Sequence, residues 1–182
     1  MRLTRRGVVA GLCGSVFAHI APATAQTILE YSSPMPVDLR GLNLRKSAAA
    51  GASLARVLPE GPAIVHVWAT WCAPCRAEMP EIARFAGDLD RAGLGDRLVL
   101  ISIDTGDYRR IEHFLHDDLG LAALQSYQDP TGRTGRVFRL HGFPSTVLLD
   151  GERRMVSGYQ GSIDWNGPAI RTEFSSHLGA SL

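Results

Sequence analysis

The sequence predicts an α/β fold in which a mixed central sheet is flanked by helices. The main observation is a strand–helix–strand succession, because an apolar, β-rich run over residues 63–69 is followed by a helical repeat over residues 72–90. A second buried strand is predicted over residues 97–103. This order gives a right-handed crossover and a parallel strand pair. A turn over residues 150–153 then joins two further strand-like runs as a hairpin, which adds antiparallel strands to the sheet.

The remaining elements are predicted from local signals. Ser53 is expected to cap a short helix that ends before Pro59, and Asp164 is expected to cap the last helix, which reaches His177. Residues 32–36 are interpreted as an extended linker because they contain two prolines. The other predicted elements are a helix over 108–119, a short strand over 123–128 and a short helix over 134–140.

Composition excludes several classes of protein. The chain has 182 residues, of which 45% are hydrophobic and 20% charged, which is typical of a globular domain rather than of a disordered or collagen-like chain. The formal charge of +1 provides no basic field, so nucleic acid is not an expected partner. Beyond the N-terminal segment, no apolar run reaches the roughly 18 residues that a membrane helix needs.

Residues 1–25 have the features of an export signal. Basic residues precede an apolar stretch, and Ala23-Thr24-Ala25 matches the small-x-small pattern before a cleavage site. The arginines at positions 5 and 6 are compatible with both the twin-arginine route and the general secretory route. The sequence therefore predicts a periplasmic protein cleaved after Ala25, with an uncleaved membrane anchor as the less favoured alternative.

The strongest chemical signal is Cys72-Ala73-Pro74-Cys75, which lies where a buried strand meets an amphipathic helix. Cysteines spaced in this way in a strand–helix–strand unit indicate redox chemistry. Cys72 is expected at the helix N-terminus, where free N–H groups and the helix dipole lower the pKa of a thiol. Cys75 follows one turn later and is expected to be more buried. A third cysteine, Cys13, falls within the predicted signal.

Other interpretations of the two cysteines are weaker. An inert structural disulfide across so short a loop contributes little stability through chain entropy. A four-ligand zinc site lacks further ligands, because no second cysteine pair and no matching histidine pair accompany the motif. Haem attachment requires histidine directly after the second cysteine, and position 76 is arginine.

The chain resembles the thioredoxin superfamily, and within it the TlpA/ResA-like (CcmG/DsbE-related) extracytoplasmic thiol–disulfide oxidoreductases. The resemblance lies in residues 67–80, which contain Trp71-Cys72-Ala73-Pro74-Cys75, and in residues 102–104, 142–146 and 161–165. It implies a thioredoxin-like domain over residues 60–182, preceded by a lead-in over residues 26–59. It also implies an extra helix and strand inserted at about residues 107–129.

The resemblance further implies roles for individual residues. Cys72 is the attacking thiol and Cys75 the resolving thiol of a redox-active disulfide. Pro144 matches the cis-proline that helps hold an extended substrate, and Trp71 and Phe143 belong to the same docking surface. Glu78 matches an acidic position near the active site that buffers protons, although an exposed carboxylate in the first helical turn is an equal alternative. No cofactor and no metal are expected.

His66 departs from the pattern of the family. It lies six residues before Cys72, where thioredoxins carry aspartate and this subgroup often carries asparagine. Our hypothesis is that His66 accepts a proton during reduction, and the alternative is an ordinary hydrogen-bonded histidine of the core.

The direction of electron flow is inferred from Ala73 and Pro74. Because this pair provides no polar group to stabilise a thiolate strongly, a reductase is favoured over a disulfide oxidase or isomerase. The resemblance implies protein disulfide substrates, either apocytochrome c or a copper-assembly factor, and a membrane electron donor for re-reduction. A copper-binding chaperone that uses the same cysteines with Met35 or Met79 is the alternative from a different class.

Overall fold

The computed structural model describes residues 27–47 and 50–182. The strands in these residues are β1 Thr27–Pro36, β2 Asn43–Arg45, β3 Gly51–Ser53, β4 Ala63–Trp68, β5 Leu98–Ser102, β6 Tyr127–Gln128, β7 Ser145–Leu149 and β8 Arg154–Gln160. The α-helices are α1 Leu54–Val57, α2 Ala73–Arg91, α3 Arg109–His113, α4 Arg133–Val137 and α5 Pro168–Leu178. A 3₁₀ turn spans Gly95–Arg97, and a π-helical turn spans Phe114–Asp118.

The described strands form one mixed sheet in the order β1-β8-β7-β4-β5-β6-β2-β3. At its centre β4 pairs in parallel with β5 and antiparallel with β7, so His66 lies between Leu100 and Thr146. The predicted parallel pair and the predicted β7–β8 hairpin are therefore confirmed. All six residues of β4 are buried, as expected for a strand covered on both faces.

Alternation along β4 divides the apolar side chains between two cores, because successive side chains of a strand point to opposite faces. Ile64 and Trp68 pack into the core beneath α2 and α5, whereas Val65 and Val67 pack into the core on the other face. His66 is even-numbered like Ile64 and Trp68, so it lies on the face of the sheet that α2 covers.

Helix α2 is amphipathic and lies on that face. Pro74 occupies its first turn, where a missing N–H costs little, and Pro80 lies inside the helix without ending it. Its buried residues recur at helical spacing and include one acidic member; they are Cys75, Glu78, Met79, Ile82, Phe85 and Leu89.

Two predictions of local structure are wrong. Residues 32–36 are not a linker but the end of β1, which pairs with β8 at the edge of the sheet. An edge strand tolerates prolines because one row of its backbone groups needs no partner, and the pairing register shifts between Glu30 and Met35. Asp164 does not cap the last helix, which begins after Gly167 because Pro168 supplies a preset first helical residue.

The inserted helix and strand are present but shorter than predicted. The predicted helix over 108–119 is divided between α3 and the π-helical turn, and the strand is limited to Tyr127–Gln128. Ser53 occupies the cap position of α1, although its side chain makes no capping hydrogen bond. The described part of the predicted lead-in contributes β1, β2, β3 and α1 to the same sheet and its covering layer.

Helices long and apolar enough to span a membrane are absent from residues 27–47 and 50–182. The predicted export signal over residues 1–25 lies outside the described residues.

Candidate active site

Cys72 and Cys75 are joined by a disulfide at the start of α2, with their Cα atoms 5.2 Å apart. Strand β4 ends at Trp68, and a short loop leads to Cys72, which is the N-cap residue of α2. The Sγ atom of Cys72 accepts a hydrogen bond from the backbone N–H of Cys75 at 3.3 Å. This sulfur therefore occupies the position where side-chain acceptors satisfy the free N–H groups of a helix.

The two sulfurs differ in their exposure. Cys72 is 6% exposed and Cys75 is completely buried, as the sequence predicted. An incoming thiol therefore reaches the Cys72 side of the disulfide, while Cys75 stays within the core beneath α2. Negative charge on Cys72 is favoured by the N-terminus of α2, and such helix-end interactions contribute about 0.3–1 kcal/mol at exposed sites.

Asp104, just beyond the end of β5, holds the loop that presents Cys72. Its carboxylate accepts hydrogen bonds from the backbone N–H and the hydroxyl of Thr70, at 2.9 and 2.7 Å. Ser102 also donates to this carboxylate. No role was predicted for Asp104 from the sequence, although its place after a strand parallel to β4 puts it at the same edge of the sheet as the loop.

Pro144 lies at the same edge of the sheet as the disulfide. It precedes β7, whose first residue Ser145 pairs with Val67, so Pro144 lies beside the end of β4. The Phe143–Pro144 peptide bond is cis, and the carbonyl of Pro144 accepts a hydrogen bond from the Gly161 N–H at 2.8 Å. The loop before β7 and the loop between β4 and α2 therefore lie side by side at this edge of the sheet.

His66 and Glu78 meet beneath this edge. The Nε2 atom of His66 lies 3.3 Å from Oε1 of Glu78, and both side chains are at least 95% buried. The two atoms are within ion-pair distance, yet neither has a hydrogen-bond partner among the described residues. On the other side of the ring, Nδ1 lies 3.1 Å from Oγ1 of Thr146. The alternative of an exposed first-turn carboxylate at Glu78 is therefore wrong.

The second carboxylate oxygen of Glu78 is held by the segment that follows β8. It accepts hydrogen bonds from the backbone N–H of Ile163 at 3.4 Å and from Nε1 of Trp165 at 3.3 Å. The Trp165 ring also stands edge-to-face with the His66 ring, at 5.2 Å between centroids. The sequence did not reveal these partners, because Trp165 and Glu78 are distant in the chain and no local pattern links them.

An open groove of about 540 Å³ lies beside the disulfide. Trp71, which is 65% exposed, forms part of it, and the Arg76 guanidinium lies 5.1 Å from the centre of the Phe114 ring. A hydrogen bond from Arg109 holds the pKa of Asp107 below its ordinary value, so these two opposite charges offset each other. The other lining residues are Thr70, Arg110, His113 and Asp118. Phe143 is half-buried and lies outside this lining.

This arrangement suits exchange between thiols and disulfides. A partly accessible sulfur at a helix N-terminus is a good attacking group or leaving group, and a buried neighbour is placed to close the ring. The described residues contain no group of three or more His, Cys, Asp and Glu side chains placed to hold a metal ion. Met79, one of the soft ligands considered for copper, is completely buried in the core.

Comparisons with known proteins agree with the fold and the motif. A thiol:disulfide interchange protein DsbE from Xylella fastidiosa is 29% identical over 107 residues, which are 59% of this chain and 51% of the relative. DsbE from Pseudomonas aeruginosa is 33% identical over 89 residues, covering 49% and 45% of the two chains. The chain thus spans about half the length of the curated relatives it matches. No family model matches the chain.

The crystal structure of the exposed lipoprotein thioredoxin Etrx1 from Streptococcus pneumoniae superimposes with a TM-score of 0.58 at 17% identity. The match covers 74% of this chain and 97% of that one. The chain therefore has a thioredoxin-like fold. In sequence it is similar to the DsbE thiol:disulfide interchange proteins over about half of their length.

Proposed function

We propose that this protein is a thiol–disulfide oxidoreductase that works through Cys72 and Cys75. The observation that carries the proposal is the disulfide at the N-cap of α2, in which Cys72 is 6% exposed and Cys75 is completely buried. A disulfide that closes so short a loop adds little to stability, so its placement is better explained by chemistry than by structure. The similarity to proteins named for thiol:disulfide interchange supports the same conclusion.

In the proposed cycle the two cysteines have different roles. Cys72, as a thiolate, attacks one sulfur of a substrate disulfide and forms a mixed disulfide. Cys75 then loses its proton and attacks the Cys72 sulfur, which releases the substrate as a dithiol and restores the Cys72–Cys75 disulfide. Two electrons pass from the protein to the substrate, and a membrane electron donor returns the protein to its dithiol form.

Pro144 and Glu78 assist these steps in the proposal. Pro144 lies beside the end of β4 and helps to hold an extended substrate segment against the disulfide. Trp71 supplies exposed apolar surface for the same segment. Phe143, the residue before Pro144, adds further apolar surface. Glu78, one helical turn after Cys75 on the buried face of α2, accepts the proton that Cys75 releases.

The direction of the reaction is proposed to be reduction of protein disulfides. The two residues between the cysteines, Ala73 and Pro74, carry no charge or polar side chain that stabilises the Cys72 thiolate further. The reduction potential tests this direction. A reduction potential of about −270 mV supports a reductase, and one of about −120 mV supports an oxidase instead. Stoichiometric retention of Cu(I) without disulfide turnover would favour a copper chaperone.

Cytochrome c maturation and copper-site assembly are the proposed contexts, outside the cytoplasm, with apocytochrome c or a copper-assembly factor as substrate. Replacing Cys75 with serine is expected to trap the substrate, because the thiol that resolves the mixed disulfide is gone. Non-reducing gels and mass spectrometry of cells that express Cys75→Ser should reveal a covalent adduct through Cys72. The double variant Cys72→Ser/Cys75→Ser is the matched control and should form no adduct.

The same experiment tests location and roles together. Recovery of the adduct in the periplasmic fraction supports export. Absence of any adduct from Cys75→Ser, in cells where the parent protein cycles between redox states, would contradict the assignment of Cys75 as the resolving thiol.

A further inference from the structure

Two facing atoms beneath the disulfide are left without hydrogen bonds. His66 Nε2 and Glu78 Oε1 are 3.3 Å apart, and neither has another partner in the described part of the chain. A buried polar atom without a partner costs about 1–3 kcal/mol, and more when it is charged. The sheet and α2 nonetheless hold the two atoms together, on side chains that are almost completely buried.

One proton placed between these atoms would satisfy both. With Nδ1 donating to the Thr146 hydroxyl, Nε2 presents a lone pair to the carboxylate, and two acceptors then face each other. A proton on either atom converts this contact into a charge-assisted or neutral hydrogen bond. The other carboxylate oxygen already has two N–H donors, so the unfilled position lies on the side of His66.

The other groups packed against the pair do not supply that proton. Leu100 on β5 is apolar, and Trp165 already donates its Nε1–H to the far oxygen of Glu78. Tyr159, opposite Thr146 on β8, donates its hydroxyl to Glu173 on α5. Asp104, at the end of β5, accepts from Thr70 and Ser102. On α2, Cys75 is one turn before Glu78, so their Cβ atoms are roughly 5–6 Å apart.

We propose that His66 and Glu78 share a single proton and that the pair takes up this proton from Cys75 when the mixed disulfide is resolved. The inference rests on the proposed function and extends it to His66, which is a positioning residue because it acts through Glu78. Sharing the proton leaves the buried pair with no net charge, so the carboxylate can accept it in an apolar setting without becoming an isolated carboxylic acid.

The atoms and electrons of the step balance. The Cys75 S–H bond breaks and its proton passes to the pair, while the electron pair stays on the Cys75 sulfur. This sulfur forms a bond with Cys72 Sγ, and the bond between Cys72 and the substrate sulfur breaks. The substrate leaves as a thiolate and takes a proton from water. The pair keeps the shared proton in the disulfide form, in which the two atoms lie 3.3 Å apart.

Nuclear magnetic resonance of the wild-type protein with ¹⁵N-labelled histidine tests the shared proton directly. The ring nitrogens of His66 are followed from pH 5 to 9 in the disulfide form and in the form reduced by dithiothreitol. We expect Nε2 of His66 to be protonated over a wider pH range in the disulfide form, because Cys75 has then given up its proton to the pair. His177, which contacts the Ala63 carbonyl away from the disulfide, is the internal control and should titrate alike in both forms.

Identical His66 titrations in the two redox forms would overturn the proposal. This measurement needs no substrate, so it decides the matter even if the protein fails to reduce any protein disulfide. That failure would count against the proposed function alone.

Kinetic variants provide a second test. Single-turnover oxidation of the dithiol protein by a neutral disulfide peptide is measured across pH for His66→Asn, Glu78→Gln and the double variant. Each single change is expected to slow resolution by about tenfold to 100-fold at neutral pH, which is at or below the lower end of the range for general-base catalysis. Each change is also expected to alter the shape of the pH profile. Because both residues hold the same proton, the double variant should be no slower than the slower single variant.

The matched control is His177→Asn, which removes another partly buried imidazole and should leave the pH profile unchanged. Additive losses in the double variant would show that the two residues act independently and would overturn the shared proton. A pH profile of His66→Asn that coincides with that of the parent would do the same.

Discussion

Serine in place of Cys72 is expected to abolish disulfide reduction, with a loss of roughly 10³-fold or more, as when a nucleophile is removed from other enzymes. The serine hydroxyl does not ionise near neutral pH, and only the thiolate of cysteine attacks a disulfide sulfur at a useful rate. The expected result is measured as insulin reduction in the presence of dithiothreitol.

The position of Cys72 makes this substitution unusually clean. Cys72 is the N-cap residue of α2, and serine is among the best N-cap residues, so α2 should begin at the same place. Thermal unfolding of the dithiol form checks this and should be close to that of the parent. Ala77→Ser introduces the same hydroxyl at an exposed position of α2 and is the matched control, expected to keep activity. Insulin reduction by Cys72→Ser at the rate of the parent protein would remove the basis of the proposed mechanism.

Most of the fold could be predicted from the sequence because its centre is encoded locally. The strand β4, helix α2 and strand β5 each have a clear hydrophobic period, and their order fixes a parallel pair. The prolines of residues 32–36 misled the prediction, since their tolerance depends on the edge position of β1, which is set by pairing with β8. The start of α5 was predicted too early in the chain because Asp164 and Gly167 are both acceptable caps. The proline at position 168 decides between them.

The candidate site could likewise be predicted only where its residues are close together in the sequence. Cys72 and Cys75 could be found because the motif, the strand before it and the helix after it are continuous in sequence. The contact between His66 and Glu78 could not, because it depends on α2 lying over the even-numbered face of β4. Thr146 and Trp165 reach this contact from later parts of the chain, through the register of β7 and the segment after β8. Residues joined only by packing carry no local pattern.

Trp165 connects the core to the candidate site, and its removal is expected to have the largest effect on stability. Its ring is completely buried and contacts the rings of His66, Phe85 and Phe174, at 5.2 to 5.6 Å between centroids. Its Nε1–H also donates to Glu78. Truncating a buried aromatic side chain to alanine leaves a cavity and typically costs about 3–5 kcal/mol. Because Glu78 also loses a donor, we expect Trp165→Ala to lie at the upper end of that range.

Trp71 provides the matched control, since it is the same residue type but 65% exposed. Trp71→Ala is expected to change the free energy of unfolding by no more than about 0.5 kcal/mol, as is usual for surface positions. Chemical denaturation of both variants measures the contrast, with the slope of the transition checked for constancy. Insulin reduction, measured at a temperature where both variants are folded, should show the opposite order. Trp71→Ala should lose more activity than Trp165→Ala, because it weakens substrate docking in a fully folded protein. Equal stability losses in the two variants would contradict the placement of Trp165 in the core, and unchanged substrate affinity in Trp71→Ala would contradict the docking role.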